Sequence, residues 1–122
     1  MFLQAKRCFS FRDLETMAVY DRDMSGTVRH DWGVKHLVQQ AGKNCGFDLH
    51  FESVYIGASD AAAFTQRGIK STGFAAMDPT PPRYYHTRLD DVDMLVEDAI
   101  GAGIEIMIEA ACIFDKDGLP QK

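Results

Sequence analysis

The densest run of side chains able to do chemistry is Tyr84-Tyr85-His86-Thr87-Arg88-Leu89-Asp90-Asp91, set between a loop with three prolines (Pro79, Pro81 and Pro82) and a long helical pattern. An imidazole held at a loop-to-helix junction can offer one ring nitrogen to a metal ion while a nearby carboxylate fixes the other. Asp90 is close enough in sequence to be that orienting group. The plainer alternative makes His86 a surface residue and uses Asp90, Asp91 and Asp93 to favour the start of the following helix through its macrodipole.

A second cluster, Asp21-x-Asp23-x-Ser25-Gly26 with Val28 following, has the oxygen-ligand spacing of an EF-hand calcium loop over 21–32. It would need an entering helix over 11–20 and an exit helix over 31–44. Its twelfth position, which should supply a bidentate glutamate, is Trp32. Among the other candidates, His30 and His36 are spaced too widely to share one helical face and read as solvated, and His50 reads as the polar side of a strand. Cys8, Cys45 and Cys112 are scattered and odd in number, which suggests neither a disulfide framework nor a thiolate zinc site. They read as small buried apolar residues.

These residues must be positioned by the elements around them. Met17–Tyr20 is a short apolar run that predicts a buried strand ending at Asp21. Trp32, Val34, Leu37, Val38 and Ala41 recur at helical spacing, with Asp31 as N-cap and Gly46 past the end, so a helix is predicted over 31–44. Phe47–Ile56 alternates as a half-buried strand. Ser59 is placed to cap a short helix through Gln66, and Ile69–Phe74 is a further strand. From Asp91 onward, Met94, Leu95, Ala99, Ile100, Ile104, Met107, Ile108 and Ala111 mark a long amphipathic helix that Gly101 and Gly103 could kink. Residues 1–16 have no clean period and read as a helix or an arm. Strands alternating with helices predict an α/β unit of three-layer type, a short mixed sheet with packed helices.

Composition narrows the partners. In 122 residues, 46% hydrophobic, there is enough apolar material for one domain or a piece of one over 1–122. A net charge of −5 with no Lys/Arg cluster argues against nucleic acid. No apolar run reaches bilayer-spanning length and nothing resembles a signal peptide, so no membrane partner is expected and the chain reads as cytoplasmic.

Three ordered segments carry a resemblance. Asp23-Met24-Ser25-Gly26 follows a strand, Gly57-Ala58-Ser59-Asp60 runs on to Phe64 and then Gly68-Ile69, and Tyr85-His86-Thr87 is followed by Asp90. Together they resemble the C-terminal region of the two-zinc aminopeptidases, the zinc exopeptidases related to the glutaminyl cyclases, over roughly residues 17–112. The resemblance implies that Asp23 and His86 are zinc ligands and that Tyr85 stabilises the oxyanion at the scissile carbonyl. It also implies supporting roles for Ser59, Asp60 and Asp90, and a peptide substrate cleaved at its N-terminus by metal-activated water.

The sequence departs from the family at Ala61, where many members carry a histidine. It departs more seriously upstream of Asp23, where the family supplies an imidazole, a bridging aspartate and a Glu-Glu pair whose glutamate is the general base. Here that stretch offers only Asp13, Glu15 and Asp21. One carboxylate and one imidazole are too few for a firm zinc site, so the isolated chain is expected to bind zinc weakly or not at all. The expectation is an incomplete aminopeptidase, inactive alone, completed by an N-terminal portion or assembled as a homo-oligomer. The alternative is a non-catalytic binding or assembly module.

Overall fold

The computed structural model describes residues 2–5, 17–55, 57–76, 88 and 96–122. Its elements run β1 (Phe2–Ala5), β2 (Met17–Asp23), β3 (Val28–Arg29), α1 (Trp32–Asn44), β4 (His50–Ser53), α2 (Asp60–Gln66), β5 (Ser71–Ala76) and α3 (Glu97–Asp117). The five strands form one mixed sheet in the order β1-β5-β2-β3, with β4 also paired to β2. β1 runs parallel to β5, β4 runs parallel to β2, and β5 and β3 run antiparallel to β2. This is the mixed α/β unit that the alternation of elements predicts.

Alternation along the two central strands sorts the core into two faces. Met17 and Val19 of β2 join Phe74 and Ala76 of β5 under Leu37, Val38 and Ala41 of α1 and Ala99, Ala102, Ile106 and Ala110 of α3. Tyr20, Ala75 and Val54 form a smaller cluster. Ser71, in register with Gly73 and Ala75, donates to the carbonyl of Ala61 at 2.9 Å and ties α2 to that side of β5. The two larger helices pack on each other, and Asn44 Nδ2 of α1 adds a hydrogen bond to Glu109 Oε1 of α3 at 2.8 Å.

Local chemistry explains the helix bounds. Asp31 accepts the N–H of Val34 at 3.0 Å and caps α1 as its position predicts. The chain leaves α1 through Gly46 at φ +86°, in the left-handed region that glycine enters without steric cost. α3 runs unbroken across Gly101 and Gly103, with Glu97 and Asp98 in its first turn and Lys116 in its last, as the macrodipole favours. No helix among the described residues is long and apolar enough to cross a membrane.

Several expectations are corrected. Residues 2–5 are a strand rather than a helix or arm, because β5 pairs there with a parallel neighbour. β2 does not stop at Asp21 but continues to Asp23, since β3 pairs with Arg22 and Asp23. That pairing also removes the calcium loop: residues 17–23 are strand where the entering helix would have to end, and Asp21 is tied to Lys35. β4 is shorter than its predicted range and lies within it, while β5 is shifted, running on to Ala76 where β2 supplies partners. Cys112 is exposed on α3, whose buried side is formed by alanines and Ile106. Cys45 is partly buried, and desolvation together with Glu109 and Glu105 pushes its thiol up, away from nucleophilic character.

Gly73 lies close against the ring of Tyr20. A Cβ on Gly73 would lie 2.4 Å from Cδ2 and 3.1 Å from Cε2 of Tyr20. The Tyr20 ring is buried, so it cannot swing into solvent to make room. Gly73→Ala is expected to cost about 1 to 3 kcal/mol by overpacking, read as a lowered urea midpoint at unchanged m-value.

Candidate functional site

β2 ends on Asp23, and the chain reverses at once through Met24-Ser25-Gly26-Thr27. Gly26 N–H bonds Asp23 O at 3.1 Å and Thr27 N–H bonds Met24 O at 3.2 Å. Met24 and Ser25 stand at φ +48° and +55°, where side chains other than glycine are strained, by about 1 to 2 kcal/mol each. The Asp23 carboxylate helps hold this turn, because Oδ1 accepts the Met24 N–H at 2.8 Å.

The same carboxylate gathers three more donors. Ser59 gives its N–H to Oδ1 at 3.0 Å and its hydroxyl to Oδ2, and His30 Nε2 stands 3.0 Å from Oδ2. The Asp23 and His30 side chains are both fully buried. Burial pushes the Asp23 carboxyl up, but hydrogen bonds from His30, Ser59 and Met24 outweigh it and hold the pKa at about 2. From His30 the network runs on: Nδ1 meets Thr65 Oγ1 at 2.8 Å, Thr65 Oγ1 meets Ser71 Oγ at 2.6 Å, and Ser71 reaches the Ala61 carbonyl. Four elements, β2, the segment after β3, α2 and β5, are thus joined through buried polar groups.

The Asp23 carboxyl also makes the fold sensitive to acid. Its folded pKa of about 2 lies below the unfolded value near 3.9, so its stabilisation is present above about pH 4 and is lost as pH falls toward 2. The loss should reach about 2 to 3 kcal/mol, measured as the wild-type decline in urea unfolding free energy that Asp23→Asn does not share.

Of the residues singled out in the sequence, Asp23 and Ser59 are brought together. Ser59 does precede α2, but its side chain makes no capping bond to the helix and instead donates its hydroxyl to Asp23. Asp60 lies exposed in the first turn of α2. Tyr85, His86 and Asp90 lie outside the described residues. His30 is the main addition, and it corrects the solvated reading of that residue: its side chain is wholly buried. Val28 pairs opposite Asp23, so reading Ser25-Gly26 as a hairpin turn rather than a metal loop would have brought His30, two residues further on, back toward Asp23. His36 is stacked on Trp32 at 3.9 Å and is likewise not free in solvent, whereas His50 is exposed as its strand position predicts.

Whether these residues could hold zinc is a question of lone pairs. A carboxylate offers about four acceptor positions, and Asp23 receives four donors. Both ring nitrogens of His30 are engaged as well. Among the described residues no three His, Cys, Asp or Glu side chains converge as a ligand group. In this arrangement Asp23 does not fit a metal ion.

The family model of peptidase family M28 matches residues 3–111, and this chain belongs to that family. Two solved structures share the fold. The LapA aminopeptidase of Legionella pneumophila superposes with a TM-score of 0.70 at 16% identity, over 89% of this chain and 29% of that one. BSAP, a zinc aminopeptidase from Bacillus subtilis, superposes with a TM-score of 0.66 at 18% identity, over 98% of this chain and 28% of that one. The chain therefore spans under a third of the length of either structure. No curated protein matches it.

Proposed function

We propose that this chain is a peptidase-family unit that contributes part of a two-zinc aminopeptidase site and neither holds zinc firmly nor cleaves peptides by itself. Membership of family M28 supports the peptidase relationship. The observation that carries the second half is the closure of Asp23, whose carboxylate is surrounded by donors from this chain alone. In a complete site of this kind zinc supplies an activated water. The resemblance gives Asp23 and His86 as ligands to it and Tyr85 as the oxyanion group, with Ser59, Asp60 and Asp90 in support. A polypeptide supplying an imidazole, a bridging aspartate and a Glu-Glu pair is the partner this reading requires. Self-association alone would not provide them, since each copy carries the same residues. We place the unit in the cytoplasm, with no role for nucleic acid or membrane.

The test is release of chromophore from aminoacyl p-nitroanilides in the presence of zinc. The chain alone is expected to give none, and addition of a polypeptide bearing the upstream ligands is expected to give turnover. Zinc-dependent turnover by the chain alone overturns the proposal.

A second reading, a non-catalytic assembly module, draws on α3. Ile104 and Ile108, one turn apart, are 54% and 60% exposed, while the buried side of the same helix carries mainly alanines. Larger apolar groups outside than inside suit a helix with a further surface to cover. Absence of turnover even with the upstream polypeptide added would favour this reading.

A further inference from the structure

We infer that the cleft between α1 and the end of α3 binds a short unblocked peptide of about three residues, its α-ammonium at Asp117 and its C-terminal carboxylate at Lys43. The inference goes beyond the zinc reading and does not use it. None of the lining residues belongs to the Asp23 network, and α2 stands on the other side of the sheet from α1 and α3. The two long helices run antiparallel. Asn44 at the end of α1 meets Glu109 of α3 at 2.8 Å, while at the start of α1 a Cβ on Gly33 would stand 3.2 Å from the Pro120 carbonyl oxygen, beyond the end of α3. Gly118, at φ +72°, turns the chain out of α3 and lets Leu119 and Pro120 close that end. What stays open is a cleft of about 400 Å³, within the range of small-ligand sites. Leu37 and Ile113 give it apolar surface, and His36, Gln40, Lys43 and Asp117 give it polar groups.

The charges suit a zwitterion. Neither Lys43 nor Asp117 forms an ion pair with another described residue, so both are open to a ligand. Asp117 is the last residue of α3, at the negative end of the helix macrodipole, where a carboxylate is unfavourable and an added cation is favoured. Lys43 lies seven residues beyond His36 on α1, two turns or about 10 Å along the axis. Because the helices are antiparallel, Asp117 belongs to the His36 end and the two charges mark opposite ends of the cleft. An extended chain spans about 3.3 to 3.6 Å per residue, so three residues reach from one charge to the other and a free amino acid does not. Glu109, near the Lys43 end, is already held by Asn44. His36 is a fixed wall, its ring stacked on Trp32 at 3.9 Å and its Nδ1 donating to the Trp32 carbonyl at 2.7 Å. Gln40 gives an amide hydrogen to Asn44, which leaves its carbonyl oxygen to accept a peptide N–H.

The experiment titrates the full chain with Ala-Leu-Ala and follows its backbone amides by proton–nitrogen correlation. Saturable shifts at Leu37, Gln40, Ile113 and Gly118 are expected, with a Kd on the order of 0.1 to 1 mM. Acetylating the N-terminus of the peptide, or amidating its C-terminus, is expected to weaken binding about three- to fivefold each, the worth of one exposed ion pair. Lys43→Gln should weaken the free peptide by the same factor and leave the C-terminal amide unchanged. Asp117→Asn should weaken the free peptide and leave the N-acetyl form unchanged. Both side chains are exposed, so neither substitution disturbs the core. Absence of saturable shifts at about 10 mM peptide overturns the inference. So do shifts that the doubly blocked peptide reproduces at equal Kd, or that neither variant alters. Failure of the functional reading looks different: with zinc added, the chain alone cleaves the peptide and product resonances appear, whatever the cleft does.

Discussion

Asp23→Ala is expected to lower the free energy of unfolding by about 3 to 5 kcal/mol, because it leaves several buried donors without their acceptor. The substitution removes the acceptor for four donors at once: the Met24 and Ser59 N–H groups, the Ser59 hydroxyl and His30 Nε2. The Ser59 and His30 donors cannot turn to water while the fold stays intact, because both residues are buried along with Asp23. A buried donor left without a partner costs about 1 to 3 kcal/mol, so the total is set by how far the turn at Met24 and Ser25 relaxes. Asp21 provides the control. It pairs with Lys35, and its own side chain is 26% exposed, so water reaches the pair from that side although Lys35 is only 7% exposed. Asp21→Ala should therefore cost less than Asp23→Ala, about 1 to 2 kcal/mol, between the exposed and the buried pair. Urea unfolding of both variants separates the two, and similar losses at the two positions would contradict the description of the Asp23 centre.

Phe74→Ala is the second large effect, expected at about 3 to 5 kcal/mol. Among the described residues Phe74 is the largest of the fully buried side chains, 1% exposed, on the strand that lies between β1 and β2. Its backbone pairs with Ala5 on one side and Val19 on the other. Its ring sits in the core cluster with Leu37, Val38 and Ile106, so truncation opens a cavity where the sheet and the two larger helices meet. The alanines of α3 that line the same core are too short to close the gap. The urea midpoint reports the loss. A loss under about 1 kcal/mol would mean that this core collapses around the missing ring.

Much of the scaffold was legible because the signals were local. Asp31 before a helical repeat and Gly46 after it marked α1 within a residue, since capping and a left-handed exit are set by neighbours in sequence. Residues 2–5 were not legible, because their strand exists only through pairing with Ser71–Phe74, some seventy positions away. The candidate site divides in the same way. Asp23 and Ser59 stood out through the family resemblance, and they do meet. His30 did not stand out, because judging it by helical spacing concealed a hairpin that returns it to Asp23. Thr65 and Ser71 were invisible for a related reason: a hydroxyl becomes part of a network only when the fold buries it beside another polar group. The Ser59 position before α2 is legible while the purpose of its hydroxyl is not: the oxygen accepts no helix N–H, and its proton is donated to the buried Asp23 carboxylate.

The central claim, that a family M28 unit is closed at Asp23 by its own residues and holds no firm zinc, is tested most directly by metal content. The purified chain would be saturated with zinc, dialysed exhaustively and analysed for metal per polypeptide. Well below one zinc per chain is the predicted result. One or two tightly held zinc ions per chain, lost on Asp23→Asn, would contradict it.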